Sequence, residues 1–367
     1  MRILKETTSY IGVYLKYFLF FLVTSISLQI TGQKLDLITA KITPWYQNKR
    51  GAVSLSFDDA GYSQFACAYP IMEQFGFKGT FSIVGEWVQE DTSRSAEPGF
   101  FEINRMGWKQ LLELHDHGHE LAAHGMIHKK YEKYAPVPEL AEMMREIKSL
   151  IESRSGAPVY TIHYPYSFAS ENIPPAACEA GYLFGRSGLD TVNSAIPENM
   201  YLLASQAVLN NEIPDSALFM KWLDETENNW LILMYHHFFT GDSREVAIMN
   251  SHNVSYSYSI TPELFKKQAE MLAASGYWVG TISEVGKYIT QRENSNIILT
   301  KGKKKIYIEV GSSLEKTVYN QPMTIEVNLP WEKYRVEGCL SDGVYTEGKK
   351  LIYVNVIPGQ KIILTKE

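Results

Sequence analysis

Between Gly51 and Glu293 the chain alternates two textures, and this alternation limits the fold more than any other feature. Short β-rich runs ("AVSLSF", "GTFSIV", "HELAAH", "PVYTIHY", "YLFGRS", "WLILMY", "YWVGTI") recur, with amphipathic stretches between most of them. In "PELAEMMREIKSLIESRSG", Pro138 suits a first helical turn, Leu140, Met143, Met144, Ile147 and Ile151 mark one face, and Gly156 ends the helix. "TPELFKKQAEMLAASG" repeats the design, with Thr261 as N-cap and Gly276 as stop. Strands alternating with helices imply a parallel sheet or barrel. The expected fold class is therefore α/β, with seven strand candidates in a parallel sheet or barrel and "YLLASQAV" as a candidate extra strand.

After Asn294 the helical period disappears. "NIILTKG", "KKIYIEV", "MTIEVNL", "KYRVEG", "LIYVNVI" and "KIILTK" are short and separated by turn residues, which predicts a small all-β, sandwich-like domain over 294–367. At the other end, Arg2, Lys5 and Lys16 precede the apolar run "YFLFFLVTSISLQI", which gives way to "TGQK". A basic segment, a short apolar run and a small-residue exit read as a signal peptide over 1–32, leaving 33–293 for the barrel. The apolar run is shorter than the ~20 residues of a membrane span, so export without a stable membrane span is expected, to the periplasm or outside the cell. A formal net charge of −6 and the lack of a basic run give no footprint for nucleic acid. Cys67, Cys178 and Cys339 form no disulfide framework and no metal-type pair, and are expected as small buried hydrophobes.

Four groups of residues carry chemistry. Asp58 and Asp59 end the first strand, where adjacent carboxylates can divide labour, one on a cation and one free as a base. "HDHGHELAAHGMIH" holds five histidines, of which His124 and His128 have the i, i+4 spacing that places two side chains on one helical face. Two histidines, one carboxylate and a fourth position left for water make the open pattern of a catalytic zinc site. His115 and His117 fall late in an expected helix over "EINRMGWKQLLELHDHG", and His119 opens a strand facing away from its C-terminal end. Pro165 and Tyr166 follow the strand "TIH", where a rigid turn can aim a backbone N–H into a site. His236 and His237 follow "WLILMY", and one imidazole there suits a general acid. All these candidates, with Arg186 after "LFG", fall at C-terminal strand ends, the reactive face of parallel barrels.

The runs "SFDDA", "HGMIH", "YPYS" and "LILMYHH" resemble, in order, the motifs of the polysaccharide deacetylases, carbohydrate esterases that share the chitooligosaccharide-deacetylase domain. The resemblance spans about residues 45–290 and implies a distorted (β/α) barrel of about seven strands and metal-dependent deacetylation. It implies Asp58 as base, Asp59, His124 and His128 as metal ligands, Tyr166 as source of the oxyanion N–H, and His236 as acid. Departures are Ala60 for a usual glycine, Gly125 for serine or threonine, His163 for the arginine that orients the base, and Ser167 for glycine. Arg186 is the expected substitute for that arginine, and Asp190 a candidate to orient His236. The expected function is removal of acetyl groups, N-acetyl ahead of O-acetyl, from an extracytoplasmic polysaccharide or glycan, with a divalent ion, zinc first. A non-hydrolytic glycan-binding relative and a hydrolase of a small cyclic amide are the alternatives.

Overall fold

The computed structural model describes residues 38–95, 103–209, 216–239, 258–340, 344–347 and 350–367. The expected signal peptide therefore lies outside the described residues. No helix among the described residues is long and apolar enough to cross a membrane.

The strands are β1 (Thr39–Ile42), β2 (Ala52–Phe57), β3 (Gly79–Ile83), β4 (Glu120–Ala123), β5 (Thr161–His163), β6 (Phe184–Arg186), β7 (Gln206–Ala207), β8 (Trp230–Tyr235) and β9 (Trp278–Val279). The helices are α1 (Tyr69–Phe75), α2 (Trp108–Asp116), α3 (Val137–Ser155), α4 (Ile173–Glu179), α5 (Ser216–Glu225), α6 (Pro262–Ser275) and α7 (Ile282–Glu293). A parallel sheet runs in the order β6-β5-β4-β3-β2-β8-β7, and β9 pairs with the first residues of β2. Its two ends meet through the candidate extra strand. Leu203 bridges Arg186 on β6, and four residues later Ala207 pairs with Met234 on β8. The expected distorted barrel is thus closed by the short segment 203–207.

Each β2 residue is buried, as befits a strand covered on both faces. Its two serines are satisfied: Ser56 Oγ donates to the Leu233 carbonyl at 3.0 Å, and Trp230 Nε1 donates to Ser54 Oγ at 3.0 Å. Helix α6 begins and ends where expected, with Thr261 Oγ1 accepting from Leu264 N at 3.2 Å and Gly276 at φ 77°. On α3 the buried face is Leu140, Ala141, Met144, Ile147 and Ile151, whereas Met143 points to solvent. The helix expected over "EINRMGWKQLLELHDHG" starts only at Trp108. Ile103–Arg105 is instead a strand paired with Ser93–Ser95, because its amides and carbonyls find a hairpin partner.

Two further sheets follow, built from β10 (Ser295–Lys301), β11 (Lys305–Ser312), β12 (Met323–Asn328), β13 (Tyr334–Glu337), β14 (Val344–Glu347), β15 (Leu351–Val356) and β16 (Lys361–Lys366). One is β10-β11-β16-β13, the other β1-β12-β15-β14, all antiparallel. Ile306, Ile308 and Leu364 of the first share a core with Ile325, Val327 and Val354 of the second, a sandwich arrangement. The edge strand β1 precedes the barrel in sequence yet belongs to this sandwich. No disulfide joins the cysteines. None is fully buried, and Cys178 is exposed on α4, contrary to the expectation for all three.

Candidate active site

The C-terminal ends of β2, β4, β5, β6 and β8 bring Asp58, Asp59, His124, His163, Arg186 and His236 to one rim of the barrel. Asp58 and Asp59 are chain neighbours with opposite surroundings. The Asp58 N–H continues the sheet by donating to the Tyr235 carbonyl at 2.9 Å, which turns its side chain into the barrel. There Oδ1 accepts from His163 Nδ1 at 2.8 Å and Ser82 Oγ at 3.0 Å, while Oδ2 meets Arg186 Nη2 at 2.5 Å. Burial alone would raise the Asp58 pKa. The Arg186 guanidinium, then His124 and His163, outweigh it and hold the carboxyl well below its ordinary value. Arg186 is itself fully buried and is fixed by Nη1 donating to Ser205 Oγ at 3.1 Å.

Asp59 leaves the strand in the left-handed region, φ 74°, and Ala60 follows at φ 50°. The reversal turns the Asp59 carboxylate toward the two histidines, 3.4 Å from His124 Nε2 and 3.7 Å from His128 Nε2. Oδ1 of Asp59 is buried and has no hydrogen-bond partner among the described residues. Such an orphan is costly unless something fills the position. Asp59, His124 and His128 each offer one ligand atom, all within 4.8 Å of one another. His124 Nδ1 sits 2.9 Å from the His163 carbonyl, so Nδ1 carries the proton and Nε2 is left as a ligand nitrogen. These residues fit a divalent cation.

The spacing of His124 and His128 works by a different geometry from the one expected. Residues 124–128 are not helical: Gly125 stands at φ 85° and the chain bends back after β4. The turn, rather than a shared helical face, brings the two rings within 4.9 Å. His115 and His117 lie at the end of α2, with His117 as its C-cap. His119 is buried against α1, accepting from Gly79 N at 3.0 Å, with Nε2 3.4 Å from Glu73 Oε1. These three histidines stand apart from the cluster.

His236 Nε2 lies 3.8 Å from Asp58 Oδ2, and burial lowers its pKa against the pull of Asp58 and Asp59. His237 turns the other way, its Nδ1 2.9 Å from Ser63 Oγ. Asp190 is exposed, so the carboxylate facing His236 is that of Asp58. Tyr166 occupies the turn after β5 at φ 59°, with its ring 4.6 Å from that of His128 and 44% exposed. Tyr164, by contrast, is buried and donates to the Tyr201 carbonyl at 2.8 Å.

Three site residues had no signal in the motifs. Ser82 reaches Asp58 from the inward side of β3. Gln64 Nε2 donates to the carbonyls of Asp58 at 2.5 Å and His236 at 2.6 Å, tying two strand ends together. Arg105 Nη1 donates to the Asp59 carbonyl at 2.9 Å. The alternation of β3 was the one signal that could have found Ser82, and nothing in the sequence marked the other two.

Residues 46–185 match the family described as polysaccharide deacetylase. The chain is 21% identical over 343 residues to a gellan lyase of Bacillus sp, covering 89% of this chain and 13% of that protein. It is 24% identical over 133 residues to "Putative polysaccharide deacetylase YxkH" of Bacillus subtilis (strain 168), covering 36% of this chain and 43% of that protein. The chain thus spans less than half the length of these curated relatives. Among solved structures, the Streptococcus pyogenes deacetylase PplD in complex with acetate is 21% identical with a TM-score of 0.37, covering 45% of this chain and 68% of that chain.

Proposed function

With residues 46–185 matching the polysaccharide deacetylase family, we propose that this chain is a metal-dependent hydrolase that removes acetyl groups from an extracytoplasmic glycan. The observation that carries the reading is the division between the two carboxylates. Asp59 faces two histidines with an oxygen left unsatisfied, whereas Asp58 is held as an anion by Arg186 and His163. A turn of surface aspartates would show neither arrangement.

A divalent ion held by Asp59, His124 and His128 would lower the pKa of a water toward ~7 and polarise the acetyl carbonyl. Asp58 is the base. Of its two oxygens, Oδ2 faces His236 Nε2 and His124 Nε2, at 3.8 and 3.9 Å, and takes the proton of the attacking water. The Tyr166 N–H serves the oxyanion, a contact worth roughly 3 kcal/mol for a well-placed donor. His236 Nε2 protonates the leaving group, and the proton collected on Asp58 is close enough to replenish it. An amine leaves poorly as an anion, so an acid at this position favours N-acetyl over O-acetyl substrates. Export rests on the N-terminal sequence pattern, and zinc on the histidine-rich donor set.

The test separates base from ligand. Asp58→Asn is expected to bind Zn2+ as tightly as the wild type and lose at least ~100-fold in acetate release from an N-acetylated oligosaccharide. Chelation should abolish the wild-type activity and added Zn2+ restore it. Near-wild-type turnover by the variant, or turnover indifferent to chelator, would sink the assignment.

A further inference from the structure

We propose that Arg105 and Trp87 form one positioning unit for the metal ligands Asp59 and His128; this rests on the metal-site reading above. Neither residue belongs to the matched motifs, and each is attached to a different ligand-bearing loop.

Arg105 ends a small hairpin in which Ser93 pairs with Arg105 and Ser95 with Ile103. Its side chain is almost fully buried. Nε donates to Ser95 Oγ at 2.9 Å and Nη1 to the Asp59 carbonyl at 2.9 Å. The next residue adds a backbone bond, Met106 N to the Ala60 carbonyl at 2.7 Å, and Arg105 also bridges Gly61. The hairpin end is therefore fastened to Asp59, Ala60 and Gly61 in succession. The first two hold the left-handed conformation, which a residue with a side chain adopts only when its surroundings impose it. The Asp59 carboxylate direction follows from that backbone reversal, so the Arg105 bond bears on the ligand itself.

Trp87 is fastened to the other loop. Its turn, Gly85–Trp87, is stitched to the histidine loop by Gly85 N donating to the Gly125 carbonyl at 3.0 Å and Glu86 N to the Met126 carbonyl at 2.9 Å. The Trp87 ring lies 5.2 Å from the His128 ring, and the Arg105 guanidinium carbon sits 3.9 Å from the Trp87 ring centroid. A partly desolvated cation on an aromatic face is a favourable and orientation-specific contact. The stacked pair thus joins the Asp59 turn to the His128 loop, fixing the separation of two ligands that come from different strands.

The test reads the metal directly. Zn2+ affinity is measured by competition with a chromophoric chelator, and the visible spectrum of the Co2+-loaded protein reports ligand geometry. Arg105→Met and Trp87→Leu are each expected to weaken Zn2+ binding by about 10–100-fold and to alter the cobalt spectrum. Arg105→Lys, which keeps a donor but not the planar stack, should recover only part of the loss. Trp87→Leu is the second probe should Arg105→Met fail to fold, with circular dichroism confirming which variants are folded. Folded variants that bind Zn2+ within about threefold of the wild type, with an unchanged cobalt spectrum, overturn the proposal while leaving the metal site intact. A wild type that takes up no divalent ion overturns both readings.

Discussion

Asp58 and Asp59 have different surroundings because one residue's backbone reverses and the other's does not. Gly125 does the same work for the histidine pair: at φ 85° it lets the chain bend so that His128 returns to His124. A Cβ there would lie 2.9 Å from the Ile127 carbonyl oxygen. Serine is a usual residue at this position in the family, yet Gly125→Ser should damage this chain. It is expected to cost about 1–3 kcal/mol of stability, or to weaken Zn2+ by a comparable factor as the loop relaxes. Urea unfolding and metal titration check it, and a variant unchanged in both would mean that the loop accepts the side chain without strain. This position also shows what the sequence could convey. The spacing of His124 and His128 was legible, and so was the carboxylate at a neighbouring strand end. The helix assumed to carry them was not present, because a single left-handed glycine reaches the same separation with a turn. The contact of Arg186 with Asp58 was legible only through the missing arginine at position 163, since two strand ends far apart in sequence meet only once the barrel closes. Arg105 left no trace, because its bond to Asp59 is to the backbone carbonyl and any residue presents one.

Strands and helices were readable wherever burial imposes a period, as in β2, β8, α3 and α6. They were least readable where pairing rather than pattern decides, as in β7 and the hairpin 103–105. His119 ties three elements together, joining β4 to the start of β3 through Gly79 and to α1 through Glu73. Burial, reinforced by Lys78, lowers its pKa from 6.5 to about 4. The folded state therefore binds fewer protons than the unfolded state between those values. The stability that His119 contributes is complete above pH 6.5 and is lost as pH falls toward 4. Glu73, whose pKa is lowered mainly by Lys78 against the effect of burial, loses its own contribution only below its ordinary value of 4.5. Between pH 7 and pH 5 the wild type should thus lose about 2 kcal/mol that His119→Asn does not lose, read as the difference in urea-unfolding free energies. Equal losses in the two proteins would show that His119 is not the titrating group.

The whole molecule joins barrel and sandwich more closely than their order in the chain implies. A boundary at residue 293 follows the change from alternating to all-β texture, but β1 lies before the barrel and pairs with β12 across nearly the full sequence. Tyr288 of α7 is buried in the sandwich core, and Tyr46 and Trp278 pack against it with rings 6.4 and 5.4 Å away. Polar bonds cross the same boundary. Gln291 Nε2 donates to the Gln321 carbonyl and Gln321 N returns a bond to Gln291 Oε1, both at 2.9 Å, while Thr43 N donates to the Thr324 carbonyl at 2.9 Å. A protein ending at residue 293 would expose Tyr288 and Trp278, leave β1 without a partner, and strand the Gln291 amide. Each large side chain returned to water costs roughly 1.5–3 kcal/mol, so two or three of them approach the 5–15 kcal/mol that a typical domain has in reserve. The fragment 33–293 is therefore expected to melt without a sharp transition or to associate, even though every proposed metal ligand lies within it. Size-exclusion chromatography and thermal circular dichroism test this against the chain 33–367. A monomeric fragment that melts within a few degrees of the longer chain would show that the barrel stands alone and that the shared aromatic contacts contribute little.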